Sequence, residues 1–85
     1  ALELYQEGLK IRKQLVQARG MISDYDDLAV SLYRVAWLSS RAERLAYAQR
    51  GLEISRKLLD ATHLDRYQAF CDAFQWLLDS LRDNG

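Results

Sequence analysis

The sequence predicts an all-α protein built from four antiparallel helices, and three observations indicate this class. The 85 residues include no proline and only four glycines, and helix-forming Leu, Ala, Arg, Gln, Glu and Lys dominate the rest. Apolar residues recur at spacings of three and four. No stretch shows the sustained alternation of β-branched residues that is typical of a strand. A chain of this length forms one domain, which we take to span residues 1–85.

The first predicted helix runs from about Leu2 to Arg19. Its apolar residues cover about half of the circumference, which is wide enough to serve two neighbouring helices. They are Ala1, Leu2, Leu4, Tyr5, Gly8, Leu9, Ile11, Leu15 and Val16. We expect Gly20 to adopt the left-handed conformation that ends such a helix.

Ser23 is expected to cap a second helix from about Asp24 to Leu38, because a hydroxyl followed by acidic residues suits a helix N-terminus. The residues of this helix predicted to face the core are Leu28, Leu32, Val35 and Ala36. The sequence Ser40-Arg-Ala-Glu43 matches the capping box. It therefore predicts a tight turn at residues 39–40, although a continuous helix through this point is the alternative.

The third helix is predicted from about Arg41 to Ala61, and the cap-like sequence that begins at Thr62 introduces a fourth from about Leu64 to Arg82. The fourth helix has an apolar stripe at spacings of three and four, which predicts its buried face. The stripe consists of Tyr67, Phe70, Phe74, Leu77, Leu78 and Leu81. Residues 83–85 are expected to fray.

The chain repeats itself with a period of about forty residues. Gly, Leu, Ile and Leu coincide when Gly8–Leu15 is laid over Gly51–Leu58 at an offset of 43. The dipeptide Trp37-Leu38 recurs as Trp76-Leu77 at an offset of 39. The net charge alternates as well, since residues 1–20 and 41–60 each sum to +2 whereas residues 21–40 and 61–85 each sum to −2. Periods of this length indicate helical hairpins that bury their apolar faces by stacking.

These segments resemble the tetratricopeptide repeat family, in its long variety of about 42 residues found in bacterial arrays. Ala1-Leu-Glu-Leu-Tyr5-Gln-Glu-Gly8 resembles the second helix of one repeat, and Asp27–Leu38 resembles the first helix of the next. The stretch from Val35 to Gly51 is about four residues shorter than the family spacing, and Arg44 stands where a small residue is usual. The resemblance implies about two stacked repeats forming a fragment of a right-handed superhelix.

The resemblance also implies where a partner would bind, because the first helix of each tetratricopeptide repeat lines the concave groove. The candidate partner-binding residues are Val30, Tyr33 and Trp37 on the second helix and Asp72, Trp76 and Asp79 on the fourth. Exposed tryptophan and tyrosine are common anchors in protein interfaces. The alternative is that both tryptophans pack between the repeats as part of the core.

Catalytic, metal-binding and nucleic-acid-binding functions are not expected. Cys71 and His63 lie eight residues apart on the chain, about 12 Å along a helix axis, so they do not form a nucleophile and base pair. We interpret Cys71 as a small buried residue and His63 as a capping or solvent-facing one. The aspartates at 72, 79 and 83 form an acidic stripe without the Glu-x-x-His motifs of a metal-binding bundle. The net charge is zero, and the basic residues of the third helix form no stripe.

The sequence therefore predicts a noncovalent scaffold without cofactors, neither an enzyme nor a membrane protein, located in the cytoplasm. We expect it to present a helical groove to a protein or peptide, with the acidic helices favouring a basic or amphipathic segment. A self-associating bundle or a spacer between domains is the alternative, and the wide apolar face of the first helix is its expected contact. We also expect this stretch to be part of a longer protein.

Overall fold

A computed structural model describes residues 2–83, and these residues form four α-helices joined by turns of two or three residues. The helices are α1 (Leu2–Ala18), α2 (Ile22–Leu38), α3 (Arg41–Thr62) and α4 (Asp65–Asp83). Each helix packs against the next one along the chain, and such short turns make consecutive helices antiparallel. The predicted all-α class and four-helix arrangement are therefore confirmed. The fraying predicted for residues 83–85 is not seen at Asp83, which is the last residue of α4, and residues 84 and 85 lie outside the described residues.

The observed helix ends test the predicted caps and turns. Gly20 has φ +64°, in the left-handed region, as predicted for the end of α1. Residues 39 and 40 both have extended backbones, so the turn is present and the continuous helix is excluded. The Ser40 side chain accepts a hydrogen bond from the Glu43 amide at 3.5 Å, which is the N-cap predicted for α3.

Two cap predictions were wrong. Ser23 does not cap α2, because the helix begins at Ile22 and its N-cap is Met21. The Asp24 carboxylate accepts the Met21 amide at 3.1 Å and also binds the Arg19 guanidinium. α4 begins at Asp65, within one residue of the predicted start at Leu64, but Thr62 does not cap that start.

Thr62 closes the preceding helix instead. It is the last residue of α3, and its hydroxyl donates to the Leu58 carbonyl at 2.8 Å. His63 follows as the C-cap with φ +57°, which is a left-handed conformation. Thr62 and His63 therefore end α3, and Leu64 directly precedes α4.

The core lies between α2, α3 and α4. All four residues predicted to face inward from α2 are at most 2% exposed. In α4, four residues of the predicted stripe are buried, whereas Phe70 and Leu81 are half-buried at its edges. The two sets of buried residues are Leu28, Leu32, Val35 and Ala36 on α2 and Tyr67, Phe74, Leu77 and Leu78 on α4.

Contacts between α2 and α4 show that these two helices run side by side in the same direction. Each contact joins residues that are 39 to 41 positions apart, and the partners advance together along both helices. The contacting pairs are Asp26 with Arg66, Asp26 with Tyr67, Tyr33 with Phe74, and Trp37 with Trp76. The contact offset matches the period of the sequence repeat, so the α2 and α4 segments of the two repeated units are neighbours in space.

The fold is about two helices thick. Its smallest dimension is 16 Å, against 36 and 29 Å in the other directions. Two helix layers packed 8–10 Å apart, each with a Cα radius of about 2.3 Å, give a thickness of roughly 13–15 Å. No helix among residues 2–83 combines the length and apolar character needed to cross a bilayer.

The prediction that α1 serves two neighbours was wrong for the described residues. Its substantial packing is against α2, and Leu9 is its one buried residue, at 3% exposure. Leu4 and Ile11 point away from the core with exposures of 72% and 57%. One side of this helix is therefore covered, and the other is not.

Candidate functional site

The candidate site is the surface where α2 and α4 lie side by side. Its centre is a cleft of about 280 Å³ between the two helices. The cleft is lined by Ala29, Val30, Tyr33, Arg34, Phe70, Ala73 and Phe74. This volume is slightly below the usual range for a small-molecule pocket, which is about 300–1,000 Å³. It suits one or two side chains of a larger partner better than an enclosed substrate.

Two tryptophans extend this cleft along the same two helices. Trp37 is 42% exposed and Trp76 is 59% exposed, and their ring centroids lie 6.1 Å apart. The Tyr33 ring stands edge-on to both Trp37 and the buried Phe74, with centroid distances of 6.1 and 5.4 Å. Such edge-to-face contacts hold aromatic rings in defined orientations. We call the surface formed by Val30, Tyr33, Trp37, Phe70, Ala73 and Trp76 the aromatic face.

The structure thus brings together four of the six predicted residues. Val30, Tyr33, Trp37 and Trp76 all lie on the aromatic face. The exposure of both tryptophans shows that neither belongs to the buried core. Their role in binding a partner stays a prediction.

The other two predicted residues, Asp72 and Asp79, flank Trp76. They lie four residues before it and three after it, so all three residues share one side of α4. Both aspartates are exposed, and each accepts a hydrogen bond from a glutamine one turn earlier, Gln68 at 3.0 Å and Gln75 at 2.9 Å. The exposed indole is therefore bordered by negative charge.

The acidic side chains of α2 have different partners from those of α4. Asp24 and Asp26 both bind arginines, so two of the three carboxylates of α2 are neutralised within the fold. The hydrogen bond from Arg19 lowers the pKa of Asp24, and the bond from Arg66 lowers the pKa of Asp26. The sequence predicted an acidic surface on both helices. The structure concentrates the exposed acidity of the site on α4, around Trp76.

Sequence reasoning missed the polar cluster at the far end of the same interface. Asp26 accepts two hydrogen bonds from Arg66, at 2.9 and 3.0 Å, and one from the Tyr67 hydroxyl at 2.8 Å. Burial, and next the bond to Asp26, raises the pKa of Tyr67. These residues fix the register of α2 against α4. Their separation of about forty positions leaves no local signal in the sequence.

Sequence reasoning also missed the role of Arg44. Its guanidinium donates to the carbonyls of Ala36 at 2.9 Å, Ser39 at 3.2 Å and Trp37 at 3.3 Å. Ala36 and Trp37 belong to the last turn of α2, whose carbonyls lack a donor from a following turn of the same helix, and the Ala36 carbonyl also accepts the Ser39 amide at 3.3 Å. The same guanidinium lies 5.3 Å from the centroid of the Trp37 ring. Arg44 therefore ends α2 and also supports the indole on the aromatic face.

Cys71 and His63, the residues considered for catalysis, are not part of the aromatic face. Cys71 is buried, as predicted, and burial raises the pKa of its thiol, which favours the unreactive protonated form. His63 is exposed, as expected for a capping or solvent-facing residue, but it caps the end of α3 and not the start of a helix. Within residues 2–83, the side chains of His, Cys, Asp and Glu form no group of three or more that could hold a metal ion.

Comparison with known proteins found no relative of this chain. No protein-family model matches the sequence, and no curated protein and no solved structure matches it either. The resemblance to tetratricopeptide repeats therefore stays a prediction from the residues quoted above.

Proposed function

We propose that the chain is a noncovalent protein-interaction module of the tetratricopeptide type, and that its aromatic face binds a basic, amphipathic segment of a partner. The observation that carries this proposal is the pair of exposed indoles in mutual contact on two parallel helices. A soluble domain gains little stability from leaving two such large side chains half in water. Large aromatic residues at that level of exposure are typical of binding anchors.

Three features of the site define the partner. The cleft next to Tyr33 accepts an apolar side chain, and the neighbouring tryptophans offer a flat apolar surface to a second one. Asp72 and Asp79 border Trp76 and favour positive charge. A helix with leucines on one side and lysines on the other has all three complementary properties.

We further propose that the two hairpins are units of a right-handed superhelix and that the protein works in the cytoplasm. The parallel arrangement of α2 and α4, with the α3 helix packed against both, supports the superhelix. The single cysteine supports the cytoplasmic location, because a buried free thiol suits a compartment in which disulfides are rare.

The test is a binding titration with a fluorescently labelled helical peptide of leucine and lysine, followed by anisotropy. The same peptide with every lysine replaced by glutamate is the control. We expect the lysine peptide to bind and the glutamate peptide to bind far more weakly. Trp76→Ala should weaken binding at least about tenfold, as expected for an interface anchor.

Leu64→Ala is the control variant, because Leu64 is 53% exposed but lies outside the aromatic face. It should leave the affinity unchanged. The double variant Asp72→Asn with Asp79→Asn should weaken binding mainly at low salt, since exposed charges are screened at high salt. Equal affinity for both peptides, or an unchanged affinity in Trp76→Ala, would refute the proposal.

A further inference from the structure

A second cleft, of about 370 Å³, lies between α1 and α2. This volume falls within the usual range for a small-molecule site, which is about 300–1,000 Å³. Four of the residues that line the cleft carry hydrogen-bond donors, two of these are always positively charged, and none of the lining residues is acidic. The lining consists of Leu4, Tyr5, Gly8, Arg12, Ser31 and Arg34. Such a lining suits an anion.

The Arg12 guanidinium lies over Gly8 on the cleft side of α1. Its Nη1 atom is 2.9 Å from the position that a Cβ atom of Gly8 would take, so the missing side chain leaves room for the guanidinium. Arg12 is half-buried, and its side chain forms no hydrogen bond or ion pair among residues 2–83. A partly buried charge is costly unless it has a counter-charge. Within the fold, Arg12 has none.

The other donors of the cleft are not engaged either. Tyr5 and Ser31 carry hydroxyls and Arg34 carries a second guanidinium, and none of these three side chains forms a hydrogen bond in the described part of the chain. Asp27 lies one turn before Ser31 on the same side of α2. It does not line the cleft, however, and it pairs with neither arginine. All four donors are therefore available to a ligand.

The second hairpin shows that helix packing does not require these charges. The offsets of 43 and 39 carry Arg12 onto Ser55 of α3 and Arg34 onto Ala73 of α4. Ser55 is completely buried, and its hydroxyl donates to the Gly51 carbonyl of its own helix at 2.7 Å. Small residues at both positions are thus compatible with a packed hairpin. The two arginines of the first hairpin are not explained by its packing.

The donors match a phosphate group better than a carboxylate. A phosphate monoester carries about two negative charges at neutral pH and three strong acceptor oxygens. Two arginines balance both charges and can each bind two oxygens, which leaves the hydroxyls as additional donors. A carboxylate has one charge and two oxygens, so it would use only part of this set.

We infer that the cleft between α1 and α2 binds the phosphate group of a phosphate monoester. Arg12 and Arg34 are its charged donors, and Ser31 and Tyr5 are its neutral donors. None of these residues belongs to the aromatic face, so the inference does not depend on the proposed function.

An amide NMR titration with inorganic phosphate at constant ionic strength tests the site. We expect saturable shifts at the amides of Gly8, Arg12 and Ser31. Arg12→Gln should raise the dissociation constant at least about tenfold, as expected for the loss of one charge-assisted bidentate pair. Arg56→Gln is the control, because it removes an exposed arginine of α3 that does not line the cleft. It should leave the affinity unchanged.

Gly8→Ala tests the position of the Arg12 guanidinium without changing any charge. The added Cβ displaces Nη1, so phosphate should bind more weakly although the protein still folds. Acetate at the same ionic strength should bind more weakly than phosphate. Shifts that do not saturate, an unchanged affinity in Arg12→Gln, or equal affinities for acetate and phosphate would overturn the inference.

Two further probes distinguish a small phosphorylated molecule from a phosphorylated partner. Arg34 lines both this cleft and the one next to Tyr33, so a segment bound on the aromatic face can reach it. The probes are free O-phosphoserine and the leucine–lysine peptide carrying one phosphoserine. Tighter binding of the phosphopeptide that Trp76→Ala abolishes identifies a modified partner, and equal affinities identify a small molecule. Both results support the phosphate site, whereas binding of neither probe overturns it.

Discussion

Gly51 of α3 lies directly against the ring of Phe74 in α4. A Cβ atom added to Gly51 would lie 2.7 Å from Cδ1 of that ring and closer still to its outer edge. Phe74 is 2% exposed, so its ring has little room to move. The absence of a side chain at Gly51 is therefore what allows α3 and α4 to approach so closely.

Gly51→Ala should lower the free energy of unfolding by about 1–3 kcal/mol, the usual cost of overpacking a core. The higher helix propensity of alanine, worth up to about 1 kcal/mol, offsets only part of this cost. Gly8→Ala is the matched control at the equivalent position of α1. An added Cβ there meets only the end of the flexible Arg12 side chain, at 2.9 Å. It should leave stability unchanged or slightly raised in urea unfolding, and a loss equal to that of Gly51→Ala would contradict the account.

Arg44→Met should destabilise the protein by about 1–2 kcal/mol, because the carbonyls at the end of α2 lose a charged donor. Methionine retains most of the aliphatic length, so the loss reports on the guanidinium. The change should also alter the fluorescence of Trp37, which the guanidinium contacts. Arg50→Met removes an exposed pair with Glu53 and should change stability by less than about 0.5 kcal/mol. Similar losses of stability in Arg44→Met and Arg50→Met would show that the hydrogen bonds from Arg44 to the end of α2 do not stabilise the fold.

Stability should decrease at acidic pH through Asp24 and Asp26. The pKa of each is below its ordinary value of 3.8, so the unfolded chain takes up these protons more readily than the folded one. Their contribution is complete above the unfolded value and is lost as the pH falls through the folded pKa values, beginning below about pH 5. Unfolding measured from pH 7 downward should show this decline.

Asp26→Asn should make that acid dependence shallower. Arg66→Met should do the same, because it removes the main cause of the lowered pKa of Asp26. The two substitutions act on one interaction, so their effects on stability should not add. Additive effects, or an unchanged slope in Asp26→Asn, would show that the ion pair contributes nothing to folding.

Local patterns predicted most of the secondary structure. The turn at residues 39–40 depends on Ser40 and Glu43, which are three positions apart, and Gly20 ends α1 by its own backbone freedom. The inward residues of α2 follow from spacing alone, because Leu28, Leu32, Val35 and Ala36 share one side of the helix. The prediction for Ser23 was wrong because Asp24 and Arg19, which lie on both sides of the turn, bind each other and move the start of α2.

The candidate site was predicted only in part, for a physical reason. The repeat placed Trp37 and Trp76 at equivalent positions, and equivalent positions of adjacent parallel helices are neighbours. Sequence spacing cannot tell which side of a helix its neighbours cover. It therefore could not decide that both tryptophans are exposed, that Arg66 pairs with Asp26, or that one side of α1 stays uncovered.

The most direct test of the account compares Trp76→Ala with Leu77→Ala in two measurements, urea unfolding and affinity for the leucine–lysine peptide. Trp76 is 59% exposed and Leu77 is 1% exposed, although they are adjacent in the chain. Trp76→Ala should cost no more than about 1 kcal/mol of stability but at least about tenfold in affinity. Leu77→Ala should cost about 2–5 kcal/mol of stability. If Trp76→Ala destabilises the fold as much as Leu77→Ala, or binds the peptide with unchanged affinity, the aromatic face is not a binding surface.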